Sequence, residues 1–173
     1  MLWTTEQKGV LPLLDVQPGD RVLEIGYGPG AMIRLLASRT QARAICGVDP
    51  SKAMWTDASR LNRDEIATGR VELRTGTAAD TGLPDASVDR IVSVNNVALW
   101  PDLEAGLREL HRVLRAGGVV VLAWHGGQAR SRLARSLRLS PERLERLRGA
   151  LGALFGDVEQ FDLEVSVVFR ARG

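Results

Sequence analysis

Glu24, Gly26, Gly28 and Gly30 fall on alternate positions of the run Val22-Leu23-Glu24-Ile25-Gly26-Tyr27-Gly28-Pro29-Gly30. An apolar stretch carrying one acid stops at three glycines, and a helix-like pattern, Ala31 to Ala37, begins at once. Glycines permit positive φ and let a ligand touch the backbone, while the first N–H groups of a helix favour negative charge. Such a turn suits a nucleotide-like cofactor. Asp49, after the apolar run Ala44 to Val48, is a carboxylate that can accept from two hydroxyls at once, and it can equally cap a helix. His125 follows Trp124, with Gly126-Gly127 behind it to turn the chain away. An imidazole, with its ordinary pKa near ~6.5, suits proton removal around neutral pH. The plainer reading of His125 is a solvent-exposed turn residue.

These residues need strands to carry them. Thr5 to Leu14 reads as a short helix, stopped near Pro18-Gly19. Arg21 to Ile25 and Ala44 to Val48 read as strands, and Ser51 caps a helix expected to run towards Thr68, with Gly69 as its stop. Val71 to Thr75 and Arg90 to Val94 are the next strands. Leu103, Leu107, Leu110 and Leu114 recur at helical spacing behind Asp102, a suitable N-cap, and Gly117-Gly118 is expected to end that helix before a strand from Val119 to Trp124. Ser140-Pro141 starts a last helix. Val158 to Leu163 and Val165 to Ala171 follow each other with little between them, as in an antiparallel hairpin. Strands alternating with helices predict a parallel α/β sheet with helices on both faces, its ligands at the carboxyl ends of the strands.

The 173 residues fit a single domain, 1–173, divided into a short N-terminal helix (1–18), a cofactor-binding core (19–124) and a basic helical segment with the hairpin (125–173). No apolar run approaches the ~20 residues of a membrane helix, and the N-terminus has no signal-peptide pattern. No membrane association and a cytoplasmic location are therefore expected. The single cysteine, Cys46, excludes an intrachain disulfide and a cysteine metal site, and no metal is expected. Net charge is only +2, yet Gly126 to Gly149 holds seven arginines (130, 132, 135, 138, 143, 146 and 148) against Glu142 and Glu145. A solvated helix face is the ordinary meaning of such a run, and a docking surface for an anion is the sharper one.

The spacing Gly26, Gly28, Ala31 also satisfies a dinucleotide fingerprint. Glu24, two residues before the first glycine, turns the pattern into E-x-G-x-G-x-G, which resembles motif I of class I S-adenosylmethionine-dependent methyltransferases. Further blocks agree in order: Gly47-Val48-Asp49-Pro50-Ser51 with Met54, Arg70 to Ala78, Leu83 to Asp89, Val94 to Pro101, and Leu110 to Gly118. Together they resemble the bacterial small-molecule, quinone-biosynthesis-like branch. The resemblance implies a Rossmann-like three-layer sandwich on a mostly parallel seven-stranded sheet with an antiparallel C-terminal hairpin, and methyl transfer from S-adenosyl-L-methionine to a small-molecule acceptor.

It also implies roles. Gly26, Gly28 and Gly30 would let the backbone approach the methionine moiety, and Glu24 would hold the turn or the amino group. Asp49 would take the ribose hydroxyls, Met54 or Ser51 would lie along the adenine, Thr77 and Ala78 would read the adenine edge, and Asn95 would face the sulfonium. His125 is the candidate catalytic base, while Asn96, Trp100 and Trp124 are candidates for the acceptor wall. His111 reads as structural. Thr77 stands where the family commonly has aspartate, leaving Asp80 to substitute. Motif I begins one helix into the chain, so the acceptor site is expected to be open, completed by a second copy in a homodimer, or degenerate. Strand four lacks the (Asp/Asn)-Pro-Pro-(Tyr/Phe) sequence of amino-methylating nucleic-acid enzymes, which disfavours nucleic acid as partner. Two other readings stay open: a non-catalytic protein that uses an exposed face, and a nicotinamide-linked oxidoreductase, which Glu24 disfavours.

Overall fold

The computed structural model describes residues 5–126 and 138–173. Its elements, in chain order, are α1 (Thr5–Leu14), β1 (Arg21–Ile25), α2 (Ala31–Arg39), β2 (Ala44–Asp49), α3 (Lys52–Leu61), α4 (Arg63–Ala67), β3 (Val71–Thr75), β4 (Val88–Val94), a 3-10 turn (Val97–Leu99), α5 (Leu103–Val113), β5 (Leu114–His125), α6 (Pro141–Phe155), β6 (Val158–Asp162) and β7 (Ser166–Arg172). The strands form one seven-stranded sheet in the order β3-β2-β1-β4-β5-β7-β6. The first five strands are parallel, and β7 is antiparallel to both β5 and β6. The order reverses between β1 and β4, so a crevice opens at their carboxyl ends.

Apolar side chains on both faces of the central strands explain why helices cover both. Val119, Val121 and Ala123 of β5 pack with Val10, Leu14, Met32 and Ile33 of α1 and α2. Val120 and Leu122 point the other way, onto Leu107 and Leu110 of α5 and Leu147 and Leu151 of α6. This period-two alternation puts His125, the last residue of β5, on the α1 side of the sheet. Val10 and Leu14 are fully buried, and each contributes roughly 1.5–3 kcal/mol to holding α1 there.

Three expectations need correction. The helix expected from Ser51 towards Thr68 breaks at Asn62, which leaves the helical region at φ −110° and ψ 18°. Its buried amide donates to the carbonyls of Gly30, at 3.1 Å, and Ala58, at 3.0 Å. The break thus ties α3 to the glycine turn. Secondly, α5 ends at Val113 and β5 begins at Leu114, five residues before Val119, because Leu114 already pairs with Val88. Gly117-Gly118 lie within the strand and bond to Gly173 at the chain's end. Thirdly, β4 begins at Val88, ahead of Arg90.

Cys46 is half-buried, and burial pushes its thiol up to about 11, which suits an inert core thiol. Of the basic segment, Arg130, Arg132 and Arg135, together with Leu133 and Leu137, lie outside the described residues. No helix among the described residues is long and apolar enough to cross a membrane.

Candidate functional site

The glycine turn is wrapped around the end of β1. Gly26 has φ 74°, and a Cβ there would meet the side chain of Asn96 at 2.2 Å. Only glycine therefore lets the β4 loop lie against the turn. A Cβ on Gly28 would meet nothing within 4 Å, so this side of the turn is open. Gly30 has a different place: a Cβ there would strike Asn62 at 2.7 Å and Ala58 at 2.8 Å, so it serves the packing of α3 against the turn.

Two carboxylates stand beneath these glycines. Asp49, 6% exposed at the end of β2, accepts from the Gly28 N–H at 3.0 Å and from the Ser51 N–H at 2.8 Å. It binds the glycine turn to the α3 start. Each of its oxygens keeps acceptor capacity for a hydroxyl beyond those bonds. Ser51 caps α3 by accepting from the Met54 N–H at 3.3 Å. Glu24, on β1 two residues earlier, is buried, and its Oε2 has no hydrogen-bond partner. Burial first, and the charge of Asp49 second, raise its pKa well above the ordinary carboxylate value, with the Ile33 N–H opposing them. Tyr27 closes over Gly47, its hydroxyl pushed up to about 12 by burial and by Asp49.

The residues expected at the adenine lie on α3 and after β3. Met54 is partly buried on α3, and Ala78 is buried. Thr77 and Asp80, both exposed, exchange backbone bonds of 3.0 and 3.2 Å, so Asp80 stands directly opposite Thr77. Glu109 of α5 fixes this loop, accepting from the N–H and hydroxyl of Thr81 at 2.9 and 2.6 Å and from Arg112 at 2.7 Å.

The ends of β4 and β5 form the other side. Asn95 takes a positive φ of 55°, uncommon outside glycine, as the chain leaves β4. It donates from Nδ2 to Glu6 Oε2 at 2.7 Å. The other oxygen of Glu6 lies 2.8 Å from His125 Nδ1. A carboxylate from the first turn of α1 thus joins the tips of two strands. Asn96 accepts from the Trp100 indole N–H at 2.6 Å, which holds its side chain against Gly26. His125 lines a cavity of about 410 Å³ with Arg138, Leu139, Leu144 and Val167. Trp100 lines a neighbouring one of about 490 Å³ with Val97, Leu103, Leu139 and Leu147. Trp124 points to the opposite face, into the α5 and α6 core. His111 stacks edge-on against Phe155, ring centres 5.2 Å apart, a packing role.

Glu6 and Asn62 escape a reading of the sequence. Glu6 looks like any acid in a first helical turn, since its partners lie 89 and 119 residues away. Asn62 does leave a signal: Asp64 and Glu65 follow it as the acids of a fresh helix start.

Comparison with known proteins agrees with this fold. Residues 23–122 match the family described as methyltransferase domain. An uncharacterized methyltransferase, YdaC, of Bacillus subtilis is 30% identical over 127 residues, 73% of this chain and 65% of that protein. Nocamycin O-methyltransferase of Saccharothrix syringae is 32% identical over 114 residues, 65% of this chain and 40% of that protein. The chain spans less than two-thirds of the length of these relatives. The crystal structure of a SAM-dependent methyltransferase from Aquifex aeolicus superposes over 96% of this chain and 88% of its own with a TM-score of 0.76, at 18% identity, a likeness of fold. With its motif I turn, its sheet order and this match over residues 23–122, the chain belongs to the methyltransferase domain family of S-adenosylmethionine-dependent enzymes.

Proposed function

We propose that the protein transfers a methyl group from S-adenosylmethionine to a hydroxyl of a small molecule, in the manner of the quinone-biosynthesis-like branch. The observation that carries this reading is the placing of two groups of polar side chains at the carboxyl ends of the parallel strands. Buried Asp49 and the orphaned Glu24 oxygen stand by the glycine turn at β1 and β2, while His125, held by Glu6, ends β5 and borders a cavity on the side of α6 and β7.

The residues fit the cofactor. The unpartnered Glu24 Oε2 suits the amino group, directly or through water, and Asp49 suits the ribose hydroxyls. The open side of Gly28 leaves room for the methionine chain. Met54, Thr77, Ala78 and Asp80 line the adenine end. When bound, the cofactor supplies a methyl on a sulfonium, whose charge vanishes on transfer. The chain then needs chiefly to align an acceptor and exclude water. Asn95 borders the sulfonium end, and Asn96 with Trp100 walls the acceptor side. His125 takes the acceptor's hydroxyl proton, a service that typically contributes about 10² to 10⁴ in rate. The O-methyltransferase name of the Saccharothrix relative supports a hydroxyl acceptor.

Calorimetry with S-adenosylmethionine, S-adenosylhomocysteine and NAD tests the cofactor half. Binding of the first two and none of NAD is expected. NAD binding alone would overturn the reading in favour of an oxidoreductase. Binding of the methyl donor without transfer to any member of a small-molecule extract would favour a non-catalytic role.

A further inference from the structure

Glu6 enters the function above only as a contact of His125, yet it makes two of the longest-range polar contacts among the described residues. Its side chain is 12% exposed, against 29% for His125. Each of its carboxylate oxygens has a separate partner: Oε1 lies 2.8 Å from His125 Nδ1, and Oε2 accepts from Asn95 Nδ2 at 2.7 Å. Three unconnected parts of the chain must agree for this to happen. The period-two alternation of β5 turns His125 towards α1, the buried Val10 and Leu14 seat α1 on that face, and the positive φ of Asn95 swings its amide back to the same carboxylate. The arrangement resolves the chemistry of the imidazole. An ionised carboxylate only accepts, so neutral His125 must carry its proton on Nδ1, which leaves the Nε2 lone pair as the basic site.

We propose that Glu6 is a positioning residue that holds His125 in the Nδ1–H tautomer and stabilises the imidazolium formed when Nε2 removes the proton of an acceptor hydroxyl. This rests on His125 being the base. In the step, the acceptor's O–H proton passes to Nε2 while its oxygen forms a bond to the methyl carbon and the carbon–sulfur bond breaks. The sulfonium's positive charge is thereby exchanged for that of an imidazolium beside Glu6, and the proton later leaves to water. The carboxylate thus faces a cation at the end of the step, where it is worth most. Asn95 fixes the carboxylate in turn: its amide holds Oε2, so that Oε1 stays on the ring.

The same contacts could serve only to fasten α1, and the two roles separate experimentally. The chain has two histidines, His111 and His125, so nitrogen-15 NMR of the imidazoles, assigned with His125→Ala, reads the tautomer of each. His125 is expected as the Nδ1–H form in the parent and as the commoner Nε2–H form in Glu6→Ala, with Glu6→Asp restoring the first. An Nε2–H tautomer in the parent overturns the proposal. The second measurement counts label from tritiated-methyl S-adenosylmethionine transferred into a deproteinised small-molecule extract. In Glu6→Gln, a neutral amide can still bridge Nδ1–H and a flipped Asn95, whose Oδ1 has no partner. Thermal stability and the affinity for S-adenosylmethionine should therefore hold, while turnover falls about tenfold or more. Parent turnover in Glu6→Gln would leave a fastening role only, and the proposal would fail. Parent turnover in His125→Ala would instead remove the base itself, with the tautomer result standing apart from it.

Discussion

The two sides of the crevice are built by opposite means. On the side proposed for the cofactor, Glu24 and Asp49 sit on neighbouring strands and Gly26, Gly28 and Gly30 on the turn after the first of them, all within 26 residues of sequence, and Asp49 is tied to the turn by bonds from backbone to carboxylate. On the acceptor side, Glu6, Asn95, Asn96, Trp100 and His125 come from three distant parts of the chain and are joined through side chains. A backbone-lined site tolerates change in surrounding side chains but must keep its glycines. A side-chain-lined site can be rebuilt residue by residue, and that is where a shared fold can take different acceptors.

The comparison breaks most visibly at Asp49. Asp49→Ala removes the acceptor proposed for the ribose, and the N–H groups of Gly28 and Ser51 lose theirs. Hydrogen bonds to a charged group are worth about 1.5–3 kcal/mol each, so the Kd for S-adenosylmethionine should rise at least ~100-fold by calorimetry. An unchanged Kd would mean that the backbone side of the crevice does not hold the ribose.

That difference in construction also decided what could be read from sequence. The glycine turn, Asp49 and the Ser51 cap are local patterns in which each residue's neighbours announce its role. The strand order follows from alternation of apolar runs and helices, together with the family resemblance. His125 was legible only as a position at a strand end, whereas its partner was not legible at all, because nothing near Glu6 distinguishes it from a helix-start acid. The break at Asn62 and the extension of β5 back to Leu114 were missed for a related reason. Both depend on tertiary partners, Gly30 and Val88, that override a plausible local pattern.

Glu109 sharpens the cofactor side, because it fixes the Thr77 to Thr81 loop from α5. Hydrogen bonds from Arg112, and then from Thr81, outweigh the cost of burial and hold its carboxyl at about 2. A carboxylate with a depressed folded pKa stabilises above its unfolded value, near 4.5, and loses that contribution as pH falls towards about 2. Glu109→Gln should cost about 1.5–3 kcal/mol at pH 7. Acid unfolding followed by circular dichroism should then be less steep between those pH values. An unaltered acid limb would show that the loop is held by other contacts.

Glu24 has the reverse sign. Its folded pKa is raised, so the native state keeps a proton that the unfolded chain releases, and stability falls as pH climbs from the unfolded value through the folded one. Glu24→Gln removes this loss and should raise the melting temperature at pH 7, a gain of ~1 kcal/mol corresponding to roughly 2–4 °C at this size. The same change should weaken S-adenosylmethionine binding, since the orphaned oxygen is gone. A variant both less stable and equally tight in binding would show that the carboxylate serves the fold.

The smallest effect is expected on the acceptor side, at Arg146. It makes a bidentate pair with Glu104, at 2.8 and 3.0 Å, between α6 and α5. Both side chains stay open to water, 65% and 45% exposed, and exposed pairs contribute little to folding because solvent screens them. Yet both residues line the cavity of about 490 Å³ that holds Trp100, so their charge faces whatever enters it. Arg146→Ala should leave the melting temperature nearly unchanged, and methyl transfer to a neutral hydroxyl acceptor should be unchanged as well. A marked loss of stability would show that the pair clamps α5 to α6. If stability holds while transfer to carboxylate-bearing members of the extract drops and transfer to neutral ones does not, the basic segment takes part in acceptor choice, and the side-chain half of the crevice extends beyond His125 to the start of α6.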